Sequence, residues 1–206
     1  MTDTPSARLR VRWLDALLPL VPLDGWTDMA ARRAAREAGL TDGEKALAAP
    51  GGVSDLVDAF FDDAEETAKA ALADTDLAPL KVRERVAAGV RAWLDALEPN
   101  REAARRAAAR GALPWGAPAA LQRTWSVADM VWAGIGDASE DYNKYTKRGI
   151  LAAIIPPITL YWLNEDDPAK VDAFIARRIE TAMKVGQTGG RFLRPIIEAA
   201  SRPRRA

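Results

Sequence analysis

The sequence predicts an all-α protein, a helical bundle in which a helix-turn-helix-like head precedes a longer helical body. Three observations predict it. Apolar residues recur three and four positions apart over almost the whole chain, with no convincing strand alternation between them. Capping residues and breakers (Thr, Ser, Pro, Gly) fall at the ends of these periodic runs. The 206 residues, 49% apolar and 28% charged, have the balance of one ordinary globular domain with a sizeable core.

The first helix runs from about Ala7, with Leu9, Trp13, Leu17 and Leu20 in one stripe. Pro19 and Pro22 kink or end it, because proline has no amide donor, and Gly25 turns the chain before Trp26. A second helix, about Asp28 to Ala38, stops at Gly39, a residue suited to the left-handed position after a helix. Thr41 and Glu44 spell a capping box for a short third helix, which Pro50, Gly51 and Gly52 stop. Helix, glycine turn and capped short helix make helix-turn-helix spacing. Ser54 is expected to cap the next helix, with Leu56, Val57, Phe60, Phe61 and Ala64 facing inward.

Pro79 to Leu97 carries Val82, Val86, Val90, Trp93, Leu94 and Leu97 on one helix, broken by Pro99. An alanine- and arginine-rich helix, Glu102 to Arg110, leads into a loop through Pro114, Gly116 and Pro118. Leu121, Trp125, Ala128, Trp132 and Ile135 then recur at helical spacing on a single face. Ser139 caps a helix that runs past Arg148 into the uncharged stretch Gly149 to Leu163, where Pro156 and Pro157 should bend it. After Asn164 to Asp167, a last core helix starts at Pro168 and is expected to bury Val171, Phe174, Ile175, Ile179, Ala182 and Met183. Gly186, Gly189 and Gly190 read as a joint. The resulting organisation is a head over 7–66, a helical body over 67–185, and a tail over 186–206.

Composition removes several functions. The 29 bases balance 29 acids, so no global field points to nucleic acid. There is no cysteine and no histidine, which excludes thiol catalysis, the Ser-His-Asp triad and the commonest metal ligand. No glycine-rich phosphate loop is present. The acid clusters Asp137, Glu140, Asp141 and Glu165, Asp166, Asp167 sit where helices begin, as caps do. No enzyme activity, cofactor or metal is expected. From Thr41 to Glu66 eight acids face one base, Lys45, so the head should be repelled by phosphate, with Arg32, Arg33 and Arg36 the only counterweight.

Two segments look functional. The aromatics Trp125, Trp132, Tyr161 and Trp162 exceed what a core this size needs, and suggest an apolar cavity lined by Trp125, Trp132, Ile154, Ile155, Ile158, Tyr161 and Phe174. The two apolar helices near the end suggest core on one side and a second subunit on the other. In the tail, Phe192, Leu193, Ile196 and Ile197 share a helical face flanked by Arg191 and Arg194. Burying four such side chains yields roughly 6–12 kcal/mol gross, and each arginine near anionic lipid adds on the order of 1 kcal/mol. That fits an interfacial helix; packing on the body or on a dimer mate is the alternative.

The stretch GDASEDYNKYTKR, Gly136 to Arg148, continuing through LYWLNEDD and FIARRIETAM and preceded far upstream by ALLPLVPLDGW, resembles the ubiquinone (coenzyme Q) biosynthesis accessory lipid-binding protein family. The family pattern is Gly-Asp, a small residue, Ser-Thr-Asp-Phe-Asn-Trp-Tyr-Thr and two bases. The chain keeps Gly136, Asp137, Ser139, Asp141, Asn143, Tyr145, Thr146, Lys147 and Arg148, and departs with Glu140, Tyr142 and Lys144. The resemblance implies a TetR-like fold, a homodimer, an isoprenoid lipid or quinone intermediate as ligand, and a membrane surface reached by the tail. It also implies a demethoxyubiquinone hydroxylase as partner, met by Asp141, Lys144, Tyr145 and Arg148, with Lys144 replacing a tryptophan anchor. The expected location is the cytoplasm, peripheral to a bacterial inner membrane, because the N-terminus is unlike a leader and the apolar run of Gly149 to Leu163 is short of the roughly 20 residues a span needs. The alternatives of the same fold are a ligand-responsive repressor and a general fatty-acid carrier.

Overall fold

A computed structural model describes residues 4–114, 116–137 and 142–200, with side chains at all of these except 142–145 and 185–200. Ten α-helices and one 3-10 turn make up the described chain, and it contains no strand. Helix α1 (Pro5–Leu17) begins two residues earlier than expected, because Thr4 caps the Ala7 amide and Pro5 occupies the first turn. The short α2 (Val21–Asp24) absorbs Pro22 in its own first turn. Helices α3 (Asp28–Glu37) and α4 (Asp42–Ala48) are separated by Gly39 at φ +65°, and Thr41 and Glu44 form the capping box. The head is therefore built as its local signals dictate.

Helix α5 (Val53–Ala73) corrects one cap. Gly52, at φ +65°, occupies the N-cap, and Ser54 lies inside the helix, where its hydroxyl accepts from Arg110 at 3.2 Å. Leu56, Val57, Phe60, Phe61 and Ala64 are buried as expected. Helix α6 (Val82–Leu97) has Glu84 closing back on the Lys81 amide, so it starts at Val82, which stays exposed at its outer end. Pro99 sits in the 3-10 turn Glu98–Asn100, and α7 (Arg101–Gly111) follows directly.

Helix α8 (Ala117–Gly134) departs from its expected single-face burial. No residue before Val127 is buried, Leu121 is 72% and Trp125 40% exposed, and only Ala128 and Trp132 of the stripe reach the core. The first half lies on the surface of the bundle, held by Arg123, which pairs with Asp58 and stacks over Phe61. Helix α9 (Tyr142–Trp162) runs through Pro156 and Pro157 as one helix, burying Leu151, Ile155, Ile158 and Trp162 and exposing Ala153, Pro156 and Leu160. Helix α10 (Pro168–Ala200) likewise stays helical through Gly186, Gly189 and Gly190, where a joint was expected. It buries Val171, Ile175, Ile179 and Ala182, but Phe174 is half-buried and Met183 exposed.

One apolar core runs from Leu17 in α1 to Ile179 in α10. Two indoles tie the head. Trp13 donates to the Ala31 carbonyl at 2.8 Å and joins α1 to α3, and Trp26 donates to the Ala103 carbonyl of α7 at 2.9 Å and joins the head to the body. Helix α9 packs between α8 and α10, and α10 also packs along α6. That arrangement positions everything described next.

Candidate functional site

Where α6, α8, α9 and α10 meet, they leave an open apolar cleft of about 250 Å³. Trp132 comes from α8, and Ile150, Leu151 and Ile154 from α9. Val82 and Val86 close it from α6, Ile179, Ala182 and Met183 from α10, and Thr146 and Lys147 stand at one end. Helical spacing explains the set. Lys147, Ile150 or Leu151, and Ile154 are three and four residues apart, so they form one row along α9. The Lys147 ammonium lies 5.3 Å from the centre of the Trp132 ring and donates to Asp137 at 2.8 Å. The Trp132 indole N–H is buried without a hydrogen-bond acceptor among the described residues.

A second apolar groove, about 350 Å³, lies on the other side of α9, between α7, α8 and α9. Trp93, Leu97, Ala104, Ile155 and Leu160 line it. The Trp93 indole N–H is a second buried donor without an acceptor among the described residues. A third hollow, about 520 Å³ and far more polar, separates α1 from α5. There Glu65 is buried and accepts from the Ser126 hydroxyl at 2.8 Å, and burial pushes its carboxyl above the ordinary value. Asp62 beside it is raised as well, by burial first and then by the charge of Asp58.

The structure distributes the seven expected cavity residues over several places. Trp132 and Ile154 share the cleft, whereas Ile155 faces the opposite groove. Ile158 is 1% exposed in solid core. Tyr161 and Phe174 stack on each other in parallel with centroids 4.0 Å apart, lining neither space. Trp125 lies half on the surface against Gly149. A 21-residue helix between two neighbours points consecutive isoleucines to opposite sides, which composition alone does not register. The residues the sequence reading missed are Val82, Val86, Lys147, Ile150, Leu151, Ile179, Ala182 and Met183; the row on α9 was readable by counting back from Ile154.

Of the four partner-facing residues, Asp141 lies outside the described residues, and Lys144 and Tyr145 are placed on the first turn of α9 by backbone only. Arg148 is corrected. It is 5% exposed and paired with Asp129 and, at 3.9 Å, with Asp137, so it braces the junction of α8 and α9 from inside. Arg191, Phe192, Leu193, Arg194, Ile196 and Ile197 fall on the last turns of α10, and their side chains lie outside the described set. The far end of α9 is tied down by residues the sequence reading passed over. Arg101 donates to the Glu165 carbonyl at 2.8 Å and to that of Trp162, Arg105 to that of Leu163, and the Trp162 indole donates to Glu98 at 2.8 Å. Cations at a helix C-terminus satisfy carbonyls that would otherwise lack partners.

On the head, α4 stands where a recognition helix would. Asp42 is held below the usual carboxylate range by its hydrogen bond and charge pairing with Lys45, and Glu44 by the Thr41 amide and hydroxyl. Both stay ionised, and the one base on the helix is engaged at 2.6 Å with Asp42. Among the described residues there is no group of His, Cys, Asp and Glu able to hold a metal, and no helix long and apolar enough to cross a membrane.

Residues 117–186, from the surface half of α8 through the cleft and into α10, match the family profile of COQ9. This match is to the family that the sequence resembles. Beyond it, the chain is 30% identical to human mitochondrial ubiquinone biosynthesis protein COQ9 over 190 residues, 88% of this chain and 59% of the human protein. The Bos taurus and Drosophila melanogaster proteins of the same name are each 30% identical over 192 residues, again 88% of this chain and 59% of theirs. The chain thus spans about three fifths of the length of the curated COQ9 relatives it matches. In architecture it is similar to the TetR transcriptional regulator from Nitrosomonas europaea, with a TM-score of 0.66 at 18% identity, covering 85% of this chain and 98% of that one. The fold is TetR-like and all-α, as the sequence predicts.

Proposed function

We propose that this protein is a lipid-binding accessory factor of ubiquinone biosynthesis, which holds an isoprenoid quinone intermediate and presents it to a modifying enzyme without doing chemistry itself. The observation that carries the reading is the open apolar cleft around Trp132 and Ile154, lined mostly by the segment that matches COQ9 and closed by Val82 and Val86 of α6. A space of about 250 Å³ is near the lower bound of ligand pockets, roughly 300–1,000 Å³. It accommodates a ring and the first units of a chain, and the rest of a long isoprenoid lies along the open mouth. The names of the curated relatives support the pathway.

The same reading extends to the surfaces. The exposed row Ala153, Pro156 and Leu160 of α9, with Leu121 and Trp125 beside it, offers an apolar face to a second copy of the chain. Lys144 and Tyr145 at the start of α9, with Asp141 just before them, form the surface for a quinone-modifying hydroxylase, and Arg148 supports that surface from beneath. Phe192, Leu193, Ile196 and Ile197, flanked by Arg191 and Arg194, lie on the membrane, giving a peripheral protein at an inner-membrane face. The repressor alternative shares the fold, but ionised Asp42 and Glu44 on α4 oppose DNA phosphate.

Mass spectrometry of lipids extracted from the purified protein tests the reading: a prenylated aromatic ring compound is expected, and fatty acids in its place would convert the proposal to a general carrier. For the tail, Ile196→Asp with Ile197→Asp should abolish co-sedimentation with anionic liposomes while leaving the unfolding temperature within about 2 °C of wild type. Unchanged co-sedimentation would rule out the anchor.

A further inference from the structure

Helix α9 changes character part-way along. Pro156 and Pro157 stand inside it, and neither has an amide hydrogen to donate. The carbonyls of Ala152 and Ala153, four residues back, therefore lose their helical partners, and each ring crowds the turn before it. Directly after the pair, the Thr159 hydroxyl donates to the Ile155 carbonyl at 2.9 Å, a side-chain bond of the kind that bends helices. The weak spot also divides the work of the helix. Every residue that α9 gives to the cleft, from Thr146 to Ile154, lies before the prolines. The two halves are held differently as well. Between Thr146 and Ile154 only Arg148 and Leu151 are buried, whereas Ile158, Trp162 and Leu163 beyond the prolines all are. That second half is clamped further: Arg101 and Arg105 bond the last carbonyls, and the Trp162 indole donates to Glu98 at 2.8 Å.

We infer that α9 is jointed at Pro156 and Pro157, and that its first half swings on this joint as the movable wall of the cleft while its second half stays fixed. In admitting a guest, the inference deepens the lipid-binding reading and rests on it. The cleft of about 250 Å³ falls short of the roughly 300–1,000 Å³ of ordinary ligand pockets, so a chain-bearing guest needs one wall to give. The facing wall is the less free to do so: α6 and α10 pack along each other, and Arg91 pairs with Asp172 across them at 3.1 Å. A joint two turns long, with helical bonds missing on one side only, lets a helix bend without unfolding. At the opposite end of the moving half, Lys147 pairs with Asp137 at 2.8 Å, and Arg148 with Asp129 and Asp137. These pairs hold the closed position, which makes the open form the minor one.

Native-state hydrogen exchange on the full chain tests the joint without any ligand. In wild type, the amides from Lys147 to Ile155 should exchange through an opening that leaves those from Ile158 to Leu163 protected. Pro156→Ala with Pro157→Ala supplies the two missing donors, and should slow exchange in the first half about tenfold or more while leaving the second half unchanged. Both halves opening together in wild type, or a first half indifferent to the substitutions, would overturn the joint. Should the double variant fail to fold, the wild-type comparison decides alone. Uptake of a short-chain prenylated benzoquinone, followed by quenching of tryptophan fluorescence, tests what the joint is for. The double variant should take it up about tenfold more slowly than wild type, in step with the rarer opening. Equal rates beside altered exchange would overturn the role of this wall in admission. If neither protein takes up the quinone, the lipid-binding reading fails, and the exchange comparison still decides whether α9 is jointed.

Discussion

The head and the flanks of α9 use the same residue type differently. In the head, Trp13 and Trp26 are buried with their indole N–H groups on backbone carbonyls, at 2.8 and 2.9 Å. Beside α9, Trp93 and Trp132 are as deeply buried, and neither N–H has an acceptor among the described residues. The head is tied off at almost every polar group: Thr4, Thr27 and Thr41 cap three helices, and Arg10 reaches the Ala48 carbonyl at 2.7 Å. The difference separates a region whose buried donors are all paired from one that leaves two of them unpaired among the described residues. Satisfied buried polar groups help fix one structure, and each unsatisfied one is a cost that the packing around it must offset.

That contrast can be broken most forcefully at its packing. Leu17→Ala, in the fully buried stripe of α1, should cost about 2–5 kcal/mol, measured by chemical denaturation, because the solid core cannot collapse into the hole. Ile154→Ala, at the open cleft, should cost about 1 kcal/mol or less, since part of its surface already faces space. Equal losses would mean that the cleft is packed as tightly as the head. A finer test uses the indoles. Trp26→Phe should lower stability by about 1–3 kcal/mol, because the buried indole bond to the Ala103 carbonyl and part of the ring's packing are lost. Trp132→Phe in the ligand-free protein should stay within about 1 kcal/mol of wild type, because the deleted donor had no partner to lose.

The smallest effect concerns Glu65 in the hollow between α1 and α5. Burial raises its carboxyl in the folded state above the ordinary 4.5. The folded protein therefore holds that proton more tightly than the unfolded chain, so the associated stability is full below about 4.5 and is lost as pH rises through the folded value. Glu65→Gln, which can still bond Ser126, should raise the unfolding temperature slightly at neutral pH, by about 1–3 °C, with the gap closing as pH falls toward 4.5. A gap that widens on acidification would show that the ionised carboxylate is stabilising where it sits.

Much of the head was legible because its signals are local. Thr41 and Glu44 are three residues apart and form a capping box wherever the chain goes; Gly39 takes a positive φ for the same reason of short range. Ser54 was misread because Gly52 offered a competing turn, and nothing within four residues decides between them. The family stretch from Gly136 onward was legible as a pattern of residues, and the COQ9 match over 117–186 agrees with it. What Arg148 does was not legible. The same motif that suggested a docking surface places this side chain inward, because Asp129, nineteen residues earlier, comes to meet it.

By itself, then, the sequence determined most of the helices, the Thr41–Glu44 capping box, the all-α class and the absence of histidine and cysteine, since each depends on residue type and short-range spacing. Only the tertiary structure decided which isoleucine of α9 lines a space and which fills the core. That division depends on where α6, α8 and α10 stand around one helix, and a helix turns its neighbouring side chains through about 100° per residue regardless of how alike they are.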